Sequence, residues 1–112
     1  MNINPIVKAA LSSLNLPVEA NVYDGGATEY IQFNYADERP EVYADDTDQL
    51  DSTSIQVHYF TKSNPQTNKK AIRRLLRAAG FTITSTQEIY ESDTDINHIV
   101  VECWIEGIVD DA

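Results

Sequence analysis

Cysteine, basic residues and long apolar runs are scarce in this chain. Cys103 is the single cysteine among 112 residues, so no disulfide can form within the chain. No apolar run approaches the roughly 20 residues that cross a bilayer, and the first residues do not resemble a signal peptide. Eight basic residues stand against eighteen acidic ones, and the formal net charge of -10 repels anionic lipid and phosphate backbones. We therefore expect a reduced, cytosolic protein for which membranes and nucleic acid are poor partners.

Residue patterns that indicate catalysis or cofactor binding are also missing. No nucleophile is placed with a base, and no glycine-rich loop is suited to a phosphate. Residues 46–51 superficially resemble a calcium loop, but the sixth position is Asp51 rather than glycine and the twelfth is Val57 rather than glutamate. His58 and His98 are predicted on the polar sides of strands, without a clustered carboxylate or thiolate. We predict no catalytic, cofactor-binding or metal-binding residues, and a chain that is not an enzyme.

Hydrophobic periodicity predicts an α+β fold in one domain, residues 1–112. Helices are expected after the Asn-Pro pairs at 4–5 and 64–65, since asparagine caps a helix and proline suits its first turn. Alternation of apolar and polar residues predicts strands at 18–23, 28–35, 53–61, 81–91 and 96–107, and the inward stripe of the last strand includes Cys103. The first two strands are expected to form a hairpin. The architecture is a mainly antiparallel sheet of about five strands with two helices packed on one face, in the order α-β-β-β-α-β-β.

Charge is sorted into one acidic segment and one basic helix. Residues 36–52 are predicted to form a long exposed loop within the domain. The carboxylates of this acidic segment are Asp37, Glu38, Glu41, Asp45, Asp46, Asp48 and Asp51. The predicted helix 65–79 carries Lys69, Lys70, Arg73, Arg74 and Arg77 opposite its apolar face. Like charges one turn apart oppose helix formation by about 0.2–0.5 kcal/mol per pair, so an acidic neighbour would stabilise this helix.

Three interpretations of the basic helix stay open. It is a solvated polar face, a contact for an acidic protein surface, or a nucleic-acid site, although no aromatic stacking platform accompanies it. Trp104 is predicted on the outward side of the last strand, where it is either covered by a helix or loop or anchors an interface. The candidate residues for a subunit or partner interface are Lys69, Lys70, Arg73, Arg74, Arg77, Asp45, Asp46, Asp48, Asp51 and Trp104.

A family resemblance rests on the order of segments along most of the chain. These segments are the opening helix, the Asp-Gly-Gly turn at 24–26, the proline-bearing strand exit at 35–40, the strand 54–61 leading into a helix, the Ala-Gly-Phe sequence at 79–81, and the run 89–99 before a closing strand. Together they resemble the tail terminator, or tail-completion, proteins of long-tailed bacteriophages and prophages. None of them is a catalytic signature.

The resemblance implies a structural protein of the virion tail that is made in the host bacterial cytoplasm. It implies a hexameric ring, which forms either in solution or only on the tube. The implied partners are the tail tube protein and the head or neck connector, and no cofactor is implied. Ring closure needs a contact between two different patches, and the basic helix against the acidic segment is a natural pair. Two alternatives remain: a head-completion or connector protein on the portal side, and an acidic inhibitory or regulatory module that binds a basic protein surface.

Overall fold

Two helices and a five-stranded sheet form the fold, in the predicted order α-β-β-β-α-β-β. The computed structural model describes residues 2–42 and 49–108, and the side chains of 2–37 and 52–107. The elements are α1 (Asn4–Leu11), a 3₁₀ turn (Ser12–Leu14), β1 (Val18–Ala20), β2 (Tyr30–Val42), β3 (Gln49–Thr61), α2 (Gln66–Ala78), β4 (Thr82–Glu91) and β5 (Ile96–Ile108). The sheet order is β1-β2-β3-β5-β4, and every neighbouring pair except β1 and β2 is antiparallel. The predicted α+β fold is confirmed.

Both helices pack on the same face of the sheet and bury a common core. Val7 and Leu11 of α1 and Ile72 and Leu76 of α2 are completely buried there. The strands contribute every second residue, as alternation requires. These strand residues are Ile31, Phe33, Ile55, Val57, Tyr59, Ile99, Val101 and Cys103. Burying each large apolar side chain contributes about 1.5–3 kcal/mol, so this layered core is the main stabilising feature of the domain.

Helix α2 spans Gln66–Ala78, within one residue of its predicted bounds 65–79 at each end. The Asn64 side chain accepts the N–H of Gln66 at 3.0 Å, which satisfies one of the unpaired donors of the first turn. At the other end Gly80 adopts a φ of 104°, and the N–H of Phe81 returns to the Leu76 carbonyl at 3.0 Å. This is the left-handed glycine cap that ends many helices. The cap turns the chain directly into β4.

The predicted hairpin of the first two strands is wrong, because β1 runs parallel to β2. Asn21 adopts a φ of 67°, and its N–H donates to the Phe33 carbonyl at 2.7 Å, so the chain leaves the sheet after a very short strand. The Tyr23 hydroxyl then accepts the N–H of Ala27 at 2.9 Å and closes the returning loop. Parallel neighbours usually need a crossover of a dozen or more residues. Here β1 has only three residues, so a compact loop is sufficient.

The acidic segment is also not the predicted loop throughout. Residues 36–42 belong to β2 and residues 49–52 to β3, and the two strands remain paired to their described ends. Proline and dense charge suggested a loop, but Pro40 lies where β2 is an edge strand, and a missing N–H is tolerated there. Residues 43–48 lie outside the described residues. Backbone pairing with β3 therefore outweighs the repulsion among carboxylates.

Candidate interaction surfaces

The basic face of α2 is partly neutralised by β4. Lys69 forms an ion pair with Glu88, and the side chains are 19% and 43% exposed. Glu88 also accepts a hydrogen bond from the Gln66 amide at 3.0 Å. The hydrogen bond from Lys69 is the main cause that lowers the pKa of Glu88 below its usual value. Lys69 is thus paired within its own chain and is less available to a partner than the sequence predicts.

The remaining basic side chains of α2 divide into one half-buried residue and three exposed ones. Arg73 is half-buried, and among the described residues its buried Nε has no hydrogen-bond partner. Lys70, Arg74 and Arg77 are exposed, and none of them forms an ion pair with a described side chain. We call Lys70, Arg74 and Arg77 the basic stripe. It is the part of the predicted basic face that a partner can reach.

The acidic candidates fall mostly outside the description of the structure. Asp45, Asp46 and Asp48 lie in the segment 43–48, which is not among the described residues. The backbone of Asp51 pairs with Gly107 of β5, but its side chain is not described. A contact between these carboxylates and the basic stripe therefore stays a prediction.

Trp104 and its neighbour Cys103 point to opposite sides of β5. Cys103 is 2% exposed and belongs to the core, as its place on the inward stripe predicts. Burial raises the pKa of its thiol to about 12, so it carries no thiolate at neutral pH. Trp104 is half-buried and, by alternation, lies on the face of the sheet opposite the helices. Its role as an interface anchor stays a prediction.

A row of stacked rings crosses this helix-free face. We call Tyr23, Tyr30, Phe60, His98 and His58 the aromatic row. The ring centroids lie 4.5 Å apart for Tyr23 and Tyr30, 4.8 Å for Tyr30 and Phe60, 4.2 Å for Phe60 and His98, and 5.0 Å for His58 and His98. Aromatic pairs of this kind contribute about 0.5–1.5 kcal/mol beyond the area they bury. The row fixes the side chains of three strands and the 21–29 loop in one arrangement.

The two histidines at the end of the row contact each other directly. His58 Nδ1 lies 2.8 Å from His98 Nε2. The other ring nitrogens face oxygens: His58 Nε2 lies 3.0 Å from Asn34 Oδ1, and His98 Nδ1 lies 3.5 Å from Glu91 Oε1. Burial lowers the pKa of both rings, helped for His58 by repulsion from His98 and opposed for His98 by Glu91. Both imidazoles are therefore neutral at pH 7.

The sequence predicts both histidines on the polar sides of strands but does not predict that they contact each other. Alternation puts His58 and Phe60 on one face of β3, which the sequence can show. That His98 stands opposite Phe60 follows from the register of β3 against β5, and no local signal encodes that register. The only advance indication was that both histidines share the outward parity of their strands.

A shallow apolar groove separates the two helices on the outside of the helical layer. It has a volume of about 440 Å³. Small side chains dominate its lining, which consists of Ile6, Ala9, Ala10, Leu75, Ala78 and Ala79. The groove adjoins the C-terminal half of α2, which carries most of the basic stripe.

No helix in the described part of the chain is long and apolar enough to cross a membrane.

Comparisons with known proteins identify a shared fold and no family. No family model matches the sequence, and no curated protein matches it. A chain from the structure of the virion of a native gene transfer agent (GTA) particle is similar in structure, with a TM-score of 0.56. The two chains are 13% identical, and the match covers 95% of this chain and 87% of the other. The chain therefore shares its α+β fold with a protein found in a virion particle.

Proposed function

We propose that this chain is a structural protein of a phage or phage-like particle, and that it acts there as the ring-forming tail terminator. In this role it caps the tail tube, joins it to the head or neck and catalyses no reaction. The observation that carries the proposal is the fold likeness to a virion chain over 95% of this chain. The segment order that resembles tail terminators supports the tail in particular.

The charged surfaces supply a contact that could close such a ring. A cyclic ring repeats a contact between one patch of a subunit and a different patch of the next. The basic stripe is one such patch, and the acidic segment is the other. Thr82, just after α2, and Ser54 of β3 both stand opposite Trp104 of β5, so they lie at the same level of the sheet. The strands of the acidic segment therefore continue beyond the end of the helix, where a neighbouring subunit can meet them.

Tube capping is the first test. The full chain is added to growing filaments of the tail tube protein from the same genome, and tube lengths and ends are measured by electron microscopy. We expect shorter tubes with added density at one end. Tubes of unchanged length with bare ends, at a chain concentration in excess over tube ends, would contradict the terminator role.

A charge-exchange experiment tests the ring contact. Reversal of Arg74 and Arg77 to glutamate should prevent ring formation, because carboxylates then face carboxylates. Reversal of Asp45, Asp46 and Asp48 to lysine should prevent it as well. An equimolar mixture should restore rings of alternating subunits, since each contact again joins opposite charges. Reversal of the exposed Lys62, which lies outside α2, is the matched control and should leave assembly unchanged.

Light scattering measures the molar mass of the wild type, of each charge-reversal variant and of the equimolar mixture. The samples are the protein at high concentration and the protein after assembly on the tube. Rings formed by the wild type should weaken with salt, because screening reaches about 10 Å at 0.1 M ionic strength. If each variant alone assembles as the wild type does, or if the mixture stays dissociated while the wild type forms rings, the electrostatic contact is wrong.

A head-completion protein on the portal side is the second candidate. The structural similarity to a virion chain supports a protein of the particle, but it does not favour a place in the tail over a place at the head. Pull-down of the full chain with purified portal protein and with purified tube protein separates the two roles. Retention by portal protein alone would replace the terminator proposal by this one.

A further inference from the structure

The histidine pair on the helix-free face has an unusual distribution of hydrogen-bond donors. Asn34 Oδ1 is an amide carbonyl oxygen and Glu91 Oε1 is a carboxyl oxygen, and oxygens of both kinds accept hydrogen bonds. The tautomers that place the ring protons on the outer nitrogens, His58 Nε2 and His98 Nδ1, direct both protons at these oxygens, which lie 3.0 Å and 3.5 Å away. In neutral imidazoles this leaves lone pairs on the two inner nitrogens, which are 2.8 Å apart and face each other.

We propose that His58 Nδ1 and His98 Nε2 are two ligands of one divalent transition-metal ion, of the class to which zinc belongs. A cation between the nitrogens removes the repulsion of their lone pairs. Imidazole suits zinc, copper and nickel, and the nitrogen that binds a metal is set by the hydrogen bond of the other nitrogen. This inference does not depend on the proposed role in a particle.

The geometry needs only a small adjustment. Two zinc–nitrogen bonds of about 2.0–2.1 Å at a tetrahedral angle hold their nitrogens about 3.3 Å apart, so the pair must open by roughly 0.5 Å. Phe60 stacks on the ring of His98 and, at a greater distance, on that of His58, and Tyr30 in turn stacks on Phe60, so the row holds both histidine rings in place. Asn34 and Glu91 act as the outer hydrogen-bond partners that commonly orient metal-bound histidines.

The remaining coordination positions are open to water or to a ligand from outside the chain. In the described part of the chain, no group of three histidine, cysteine, aspartate or glutamate side chains is placed to hold a metal. Cys103 does not compete, because it is buried in the core on the other side of the sheet and its thiol stays protonated. A two-histidine site with exchangeable outer ligands is therefore the form expected.

Zinc titration of the full chain by calorimetry tests the proposal. We expect one ion per chain and a loss of affinity of about tenfold or more in each of His58→Gln and His98→Gln, since each removes a ligand. Both variants retain every carboxylate of this acidic chain. Zinc that still binds to them therefore measures unspecific binding to carboxylates. Circular dichroism verifies that they are folded. Equal zinc affinity in wild type and variants would overturn the proposal.

Imidazole nitrogen NMR gives a second, independent measurement. The chain has two histidines, so the spectrum of each His→Gln variant assigns the ring signals of the remaining one. Zinc should shift His58 Nδ1 and His98 Nε2 and leave the outer nitrogens protonated. Asn34→Ala should weaken zinc binding by about tenfold while His58 still ligates, as loss of an outer partner does. A proton that persists on His98 Nε2 or on His58 Nδ1 in saturating zinc would refute the site, because the two rings would then be joined by an ordinary hydrogen bond.

Discussion

The hydroxyl of Tyr59 offers the sharpest test of how the helices are joined to the sheet. Tyr59 is 1% exposed, and its hydroxyl donates to Glu29 and accepts from the Asn68 amide of α2 at 2.9 Å. Tyr59→Phe keeps the ring in place and removes both bonds. A hydrogen bond to a charged group contributes about 1.5–3 kcal/mol, so we expect the free energy of unfolding to fall by about 2 kcal/mol. Urea denaturation followed by circular dichroism measures it.

A second tyrosine supplies the matched control. Tyr90 donates to the Asp95 carboxylate in the same way but is 59% exposed, so Tyr90→Phe should leave the denaturation midpoint unchanged within error. A double-mutant cycle of Tyr59→Phe with Glu29→Gln should show a coupling energy above about 0.5 kcal/mol. Additive effects of those two changes, or equal effects of the two Tyr→Phe changes, would refute the account of a buried hydroxyl that joins β3 to α2 and the 21–29 loop.

Four further predictions concern the same core and one of its caps. Leu76→Ala should lower the free energy of unfolding by about 2–5 kcal/mol, measured by urea denaturation, because the side chain is completely buried. Gly80→Ala should lower it by about 1 kcal/mol in the same assay, since a φ of 104° strains any residue with a Cβ. Cys103 should stay unmodified by a thiol reagent at pH 8 in native protein and react within minutes in urea, as burial raises its pKa to about 12. Burial and Glu29 raise the pKa of Tyr59 above 10.0, so the advantage of wild type over Tyr59→Phe should be full below pH 10 and decline above it.

Local chemistry was sufficient to predict the helices and the core side of the strands. Helix α2 has an asparagine at its start, a glycine after its end and apolar residues on one face, and each of these signals acts within a few residues. Cys103 was placed in the core because alternation along β5 is a property of that strand alone. These features do not require knowledge of which elements become neighbours.

The errors concern features that depend on distant pairing. β1 runs parallel to β2 and is followed by a left-handed Asn21 whose N–H donates to the Phe33 carbonyl, and no local pattern in the sequence predicts either feature. Pro40 and the surrounding carboxylates indicate a loop. In the structure, however, β3 is paired with β5 on one side, and on its other side it also pairs with this part of β2. The contact between His58 and His98 likewise depends on strand register. Charge was sufficient to name the candidate interface residues. It was not sufficient to predict which of them form ion pairs within the chain, as Lys69 does with Glu88.

The basic stripe and the helix-free face of this chain should respond differently to solution conditions. The contacts proposed for the basic stripe would rely on charge and weaken with salt, whereas the aromatic row carries no formal charge at pH 7 because burial keeps its histidines neutral. A bound zinc ion would add two positive charges to that neutral face in a chain whose formal net charge is -10. Assembly through the basic stripe should therefore depend on salt and be indifferent to zinc, while any partner on the helix-free face should show the reverse. Measuring association against both variables distinguishes the surface that is used.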